Sequence, residues 1–398
     1  MSMVLAKPAL RLGWRDALRT WLAGHWAALR PYAEPAAAAW ALSFGFMLVS
    51  AWAAGVAPMH PASYLRFDSG HYVTIAQQGY FFLRCGTAEA AFAPDAWCGN
   101  AGWFPGYSLL MRALAVPLLG NLPLAGWLIA NGCAFLALLL LARLLEGHPK
   151  RHLPLMLAAL FPGGMYYHAV FPISMLLCLV LGSLLLLQRG RPVAGALAAC
   201  GAAFSYSTGF LFSAVVGLGG LLTSRQPWPR RLLESCGLGL LALAGFLAVL
   251  AIHQVSTGHW NAFFLVQEKY GHGLHNPLAA LPRFAAEAWA ARGDWGHLLA
   301  PLQSLGVALL VPATLATLAW RWRRATPLEW MAAALVMIYW LFPITMGPAV
   351  SLTRAEAVLL PLVLLLARLP VVAQWALVLA FAVLRFHGGV AFFAEQIV

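Results

Sequence analysis

The sequence predicts an all-α protein that crosses a membrane many times. Two observations carry this. Hydrophobic residues make up 62% of the 398-residue chain against only 10% charged, where a soluble domain carries roughly 25% charged residues. The apolar residues also fall into successive runs of about the 20 residues a membrane helix needs. The net charge of +12 would suggest nucleic acid in a soluble chain. Here it assigns the basic residues to cytoplasmic loops and to contacts with membrane lipids, with no nucleic-acid partner.

Residues 1–35 hold Lys7, Arg11, Arg15, Arg19 and Arg30, with Trp14, Leu18, Trp21, Leu22 and Leu29 near one helical face. This predicts a cytoplasmic amphipathic segment distinct from a transmembrane domain over 36–398. No apolar stretch follows the first charges closely enough for a cleavable signal. The first span is expected at 36–57 and the next at 122–142. The uncharged run 153–187 is too long for one crossing and divides at Phe171-Pro172-Ile173-Ser174. The run 193–222 divides likewise at Ser205-Tyr206-Ser207-Thr208-Gly209. Further spans are expected at 236–252, 304–320, 330–346, 355–367 and 371–384, about eleven in all.

A cytoplasmic N-terminus puts 17 of the 25 basic residues on the cytoplasmic side, and the reverse orientation puts them outside. The positive-inside rule selects the first and implies a multi-pass protein of the cell (inner) membrane. Two long connections, 58–120 and 256–301, then lie outside. Long aromatic-rich connections carry function more often than short ones, so the site is expected there. Residues 104–119 read as an interfacial helix, because Pro105, Arg112 and Pro117 interrupt the run. Cys85 and Cys98 are the two cysteines of the outer segments. In an oxidising compartment they predict a disulfide, the alternative being two free thiols.

The first outer segment contains Phe67-Asp68-Ser69-Gly70-His71-Tyr72, then Ile75-Ala76 and Gly79-Tyr80, followed by Trp103-Phe104-Pro105-Gly106-Tyr107. By position alone Asp68 reads as the N-cap of the helix after it. The whole pattern resembles the polytopic mannosyltransferases that add the second mannose to GPI anchors, with their bacterial relatives (PIG-V-like), in the GT-C glycosyltransferase superfamily. Thr257-Gly258 with Gln267, Tyr270-Gly271 and Asn276-Pro277 is similar to that family's second outer loop. Ser351-Leu352-Thr353-Arg354 is similar to its C-terminal Ser-x-x-Arg segment. The chain departs from the pattern at three places. The family's glutamate falls at Ile173, its hairpin arginine at Tyr206, and its C-terminal tyrosine at Ala355.

The resemblance implies a GT-C-like bundle and a membrane glycosyltransferase. A hexose, mannose in this family, passes from a polyprenyl-phosphate donor to a lipid, glycan or protein acceptor with inversion. It implies Asp68 as general base, with Arg354, Lys269 and Arg66 as donor-phosphate contacts. His71, Tyr72, Gln267, Tyr270 and His272 become substrate-cavity residues. The leaving polyprenyl phosphate is a stable anion, so fixed cations replace the second carboxylic acid of a glycosidase. The His272-Gly273-Leu274-His275 spacing is set in glycines and does not predict a metal site, and no cofactor is expected. No nucleotide-binding loop appears. The competing expectations are a catalytically inactive relative acting as an assembly subunit, suggested by the lost charges, and a lipid or sugar transporter. The second lacks internal repeats or midplane charges to support it.

Overall fold

The computed structural model describes residues 14–86, 91–347 and 351–397, without the side chains of 14–26 and 28. Lys7, Arg11, Arg15 and Arg19 and the expected apolar face of Trp14, Leu18, Trp21 and Leu22 therefore lie outside the described side chains. The chain is a predominantly α-helical, polytopic membrane protein. Among the described residues six helices are long and apolar enough to cross a bilayer, and shorter apolar helices pack between them.

Helix α1 (Trp14–Ala53) runs unbroken through Pro31 and Pro35. The helix continues through residue 35, and the part long and apolar enough to cross a bilayer is Leu29–Ala53, against an expected 36–57. Each proline removes a backbone donor, but neighbours hold the helix at that level. Arg151 Nη2 donates to the Pro31 carbonyl (2.8 Å), the Tyr32 hydroxyl donates to Glu146, and the Arg143 guanidinium lies 4.7 Å from the Tyr32 ring centre.

The first long connection folds as a 3-10 turn (Pro61–Tyr64), α2 (Ser69–Gln78), a strand pair and α3 (Pro105–Ala115). Strand β1 (Phe82–Arg84) pairs antiparallel with β2 (Trp97–Gly99), Leu83 opposite Cys98, which an all-α expectation omits. Three-residue strands are too short to leave an alternating signature. The pair is held by the Cys85–Cys98 disulfide, by Arg84 over the Trp97 ring (3.9 Å), and by Asn100. The Asn100 side chain donates to the Gly79 carbonyl (3.0 Å) and accepts from Phe81 N–H (2.9 Å). Helix α3 has 11 residues, too few to cross. It buries Tyr107, Ser108 and Met111 while exposing Leu109 and Leu110.

A disulfide closing a 13-residue separation contributes about 3 kcal/mol in the chain-entropy account. Replacing both cysteines with serine is expected to lower the thermal midpoint accordingly. Reductant should lower the wild-type midpoint to the same value and leave the variant unmoved. A wild-type midpoint indifferent to reductant would show that the bridge carries no stability.

Next come α4 (Leu122–Leu144), α5 (His152–Ala159), α6 (Ile173–Gln188), α7 (Pro192–Ser205), α8 (Phe212–Thr223) and α9 (Trp228–Thr257). The first hairpin break is wider than expected. It opens at Leu160-Phe161-Pro162-Gly163 and closes only before Ile173, because a proline beside two glycines stops α5 after eight residues. The second break falls at 206–208, as its Ser/Thr/Gly composition suggests. Helix α9 extends well beyond 236–252 at both ends. Arg230, Arg231 and Glu234 are good helix formers, so the helix begins before the apolar run, and Gly258 in the left-handed region ends it. Helices α7 and α9 pack backbone to backbone: a Cβ on Gly245 would sit 1.9 Å from the Cys200 carbonyl oxygen. In lipid such close approach supplies the packing that water exclusion cannot.

The second long connection contains α10 (Ala262–Glu268) and α11 (Ala280–Ala290). It ends at Asp294, not 301, because the Asp294 carboxylate caps α12 (Trp295–Trp320) by accepting from Gly296 N–H (2.9 Å). Helix α13 (Pro327–Thr345) follows. The span expected at 355–367 is instead α14 (Leu352–Ala357) and α15 (Val363–Leu366), interrupted by a 3-10 turn at Pro361. Helix α16 (Val371–Phe393) continues nine residues past 384. Arg385, just past the end expected for that span, is consequently fully buried against α1, where Nη2 donates to the Ser43 carbonyl (3.3 Å). His168 and His253 are also fully buried.

Candidate functional site

The ends of α2, α10, α13 and α14 and the turn after α7 surround a cavity of about 680 Å³. Asp68 comes to it from the residue before α2. Phe67, just ahead, holds a left-handed backbone (φ +52°), which costs a non-glycine residue about 1–2 kcal/mol. Its ring is anchored 5.5 Å from that of Phe392 at the end of α16. Asp68 occupies the N-cap position, yet its carboxylate makes no capping bond. The side chain turns instead to Arg354, whose Nη1 donates to Asp68 Oδ2. Both side chains keep about a quarter of their surface exposed (27% and 25%), so the pair faces the cavity. Among the described residues, no other hydrogen bond is made by the Asp68 carboxylate. A guanidinium has five donors, so the ion pair leaves Arg354 with donors to spare.

Arg354 is placed by close backbone contact. Gly163, in the left-handed region (φ +75°), lies against α14, where a Cβ would come within 2.5 Å of the Thr353 carbonyl oxygen. Helix α2 buries Tyr72, Ile75 and Ala76, the 3–4 spacing of one helical face. The Tyr72 ring packs edge-on to Tyr107 and Phe171 (5.7 and 5.8 Å). Burial pushes the Tyr72 phenol well above its usual pKa, so it remains a neutral hydroxyl at the cavity wall. Tyr80 donates to the Trp103 carbonyl (2.8 Å), and His71 stacks on the Trp103 indole (3.5 Å between ring centres). The conspicuous aromatic residues of the first connection are thus wired to one another around Asp68.

The opposite wall is the segment after α10. Gly273 N–H and His275 N–H donate to the Met346 and Thr345 carbonyls (3.2 and 2.8 Å), fastening that loop to the end of α13. Gln267, Tyr270 and His272 line the cavity with Tyr72, Asp68 and Arg354. Three expected site residues are placed elsewhere. Arg66 is ion-paired to Glu395 and is not on the wall. Lys269 is not on the wall either, its Nζ lying 4.5 and 5.1 Å from the Phe92 and Tyr270 ring centres and 3.6 Å from Cys98 Sγ. His71 lies behind Trp103, which is the residue that reaches the cavity.

The wall also includes Tyr166, Tyr206, Tyr339 and Glu268, none of which the sequence placed at the site. Tyrosines on apolar stretches read as packing residues. For Tyr206 there was a signal: it stands at the hairpin position where the resembled family has an arginine. Ile173, at the family's glutamate position, is fully buried. Compared with known proteins, the chain matches no family model and no curated protein. What the arrangement offers chemically is a carboxylate and a guanidinium in contact at one cavity, ringed by neutral hydroxyls and aromatic faces. It suits proton abstraction beside an anionic group.

Proposed function

We propose that the chain is a GT-C-type membrane glycosyltransferase, similar to the PIG-V-like mannosyltransferases, that moves a hexose from a polyprenyl-phosphate donor to an extracytoplasmic acceptor with inversion. In this reading about eleven crossings form a GT-C-like bundle in the inner membrane. The N-terminus is cytoplasmic, and the connections containing Asp68 and Gln267 face outside. The acceptor hydroxyl oxygen attacks the anomeric carbon, and its proton passes to Asp68. The bond from that carbon to the phosphate oxygen breaks, its electron pair leaving with the polyprenyl phosphate. Arg354 carries the developing charge on that leaving group. Tyr72 and Tyr206 offer hydroxyl donors, Tyr206 from the position where the family has a cation.

The observation that supports this reading most is the contact between Asp68 and Arg354 on one cavity wall. They lie 286 residues apart in sequence and belong to two separate motif-like stretches. The arrangement also accounts for how a base can be kept beside a donor phosphate: the phosphate takes guanidinium donors that Asp68 leaves unused, while the second carboxylate oxygen, which accepts no hydrogen bond among the described residues, receives the incoming proton.

The test is transfer itself. Purified protein with radiolabelled polyprenyl-phosphate mannose and membrane acceptors is expected to give labelled, inverted product. Donor binding without transfer would favour an assembly subunit, and donor movement across vesicles without transfer would favour a transporter. Orientation has its own test. Gly147 and Asp95 are both exposed. In a background lacking the four free cysteines, an impermeant thiol reagent on intact cells is expected to label Asp95→Cys and spare Gly147→Cys. The opposite pattern would reverse the topology.

A further inference from the structure

A second cavity, of about 590 Å³, lies between the end of α12, the start of α13 and the turn joining α15 to α16. Helix α13 connects the two cavities: Glu329 near its start lines this one, and Phe342 near its end lines the first. Thirteen residues of helix put them roughly 20 Å apart along the axis, at opposite ends of the bundle. The wall carries Arg321, Arg324 and Arg368, with Glu329 as its one acid. Glu329 is already fully engaged. Its Oε1 accepts from Arg368 Nε (2.6 Å), and its Oε2 accepts from the Thr326 N–H and hydroxyl (2.7 and 2.9 Å). Among the described residues, no carboxylate pairs with Arg321 or Arg324. Three guanidinium groups against one occupied carboxylate leave two positive charges facing the cavity.

The rest of the wall is mainly apolar, with Leu318, Leu365 and Leu369 beside Thr314 and Thr317, and Trp320, which also lines it, is 90% exposed. Tryptophan at the end of an apolar helix marks headgroup depth. A cationic rim above an apolar wall fits an amphiphile with an anionic phosphate head and a hydrocarbon stem. A free ion would use only the rim. Basic pockets between membrane helices bind such headgroups. We infer that this cavity is a binding site for an anionic membrane phospholipid, held by Arg321 and Arg324 and remote from the cavity of Asp68.

The experiment uses the full-length protein in detergent, titrated with phosphatidylglycerol, phosphatidylcholine or inorganic phosphate. Retained lipid is read by native mass spectrometry and stabilisation by thermal unfolding. Wild type is expected to retain phosphatidylglycerol in preference to phosphatidylcholine. Arg321→Gln/Arg324→Gln is expected to weaken that binding on the order of 30-fold, with the lipid-free midpoint unchanged because both side chains are exposed and unpaired. If the double variant proves unstable, R321Q and R324Q alone carry the comparison, each expected to lose about fivefold. Undiminished phosphatidylglycerol binding by the variants would overturn the inference, and so would equal retention of phosphatidylcholine. An arginine-dependent shift produced as fully by inorganic phosphate as by phosphatidylglycerol would replace the lipid with a free anion and also overturn it.

Discussion

Asp68→Asn is expected to slow sugar transfer by about 10²–10⁴-fold, the usual worth of a positioned general base, in a protein that still folds. Helix capping and a purely structural ion pair are the two remaining roles for an acid at this position, and each predicts a different outcome. Capping predicts a loss of about 1 kcal/mol in stability and no specific loss of rate, but the carboxylate makes no capping bond. A purely structural ion pair predicts loss of stability alone. Asparagine keeps an oxygen for Arg354 Nη1, and both partners are partly exposed, so the stability cost should be on the order of 1–2 kcal/mol. Glu268 supplies the control. It is a second carboxylate on the same wall, exposed and with no ion pair to Arg354 among the described residues. Glu268→Gln is expected to leave single-turnover rates within a few-fold of wild type, given that surface substitutions seldom perturb a site. A folded Asp68→Asn protein that transfers at the wild-type rate would remove Asp68 from the chemistry, and a large loss in Glu268→Gln instead would move the base to that residue.

The membrane class was legible because it rests on composition and on run lengths, which tertiary structure cannot alter. Helix ends were less legible. Hydropathy measures where apolar residues stop, whereas helices stop at caps and glycines. Helix α9 therefore overruns its apolar segment to Gly258, and α1 runs through two prolines held by Arg151 and Tyr32. The loop cations were harder still. Arg66, Lys269 and Arg354 look alike as charges near span ends, and only the folded chain shows Glu395 beside the first, aromatic rings under the second, and Asp68 beside the third. Arg385 misled for the opposite reason: a charge ordinarily marks the end of a span, but this one is folded into the bundle against Ser43. Tyr166 and Tyr339 carry no sequence signal of their own, since a tyrosine facing a cavity and one facing a neighbouring helix occupy the same periodic positions.

Arg354→Gln is expected to lower kcat by about 10²–10³-fold, the cost of removing one preorganised donor from a developing anion. Arg354→Lys should recover only part of it, because an ammonium keeps the charge but lacks the planar fork that can hold Asp68 and a phosphate together. The two residues are in contact, so their effects should not add. If the guanidinium both positions the carboxylate and receives the leaving phosphate, Asp68→Asn/Arg354→Gln should transfer sugar about as slowly as the worse single variant, as happens when residues act as one unit. Stability should follow the opposite course. Arg354→Gln leaves a carboxylate without its cation, and removing Asp68 as well should restore part of the lost thermal midpoint. A binding role confined to the ground state would raise KM and spare kcat. Fully multiplicative rate losses in the double variant would separate the two residues into independent contributors and dissolve the pair as a catalytic unit.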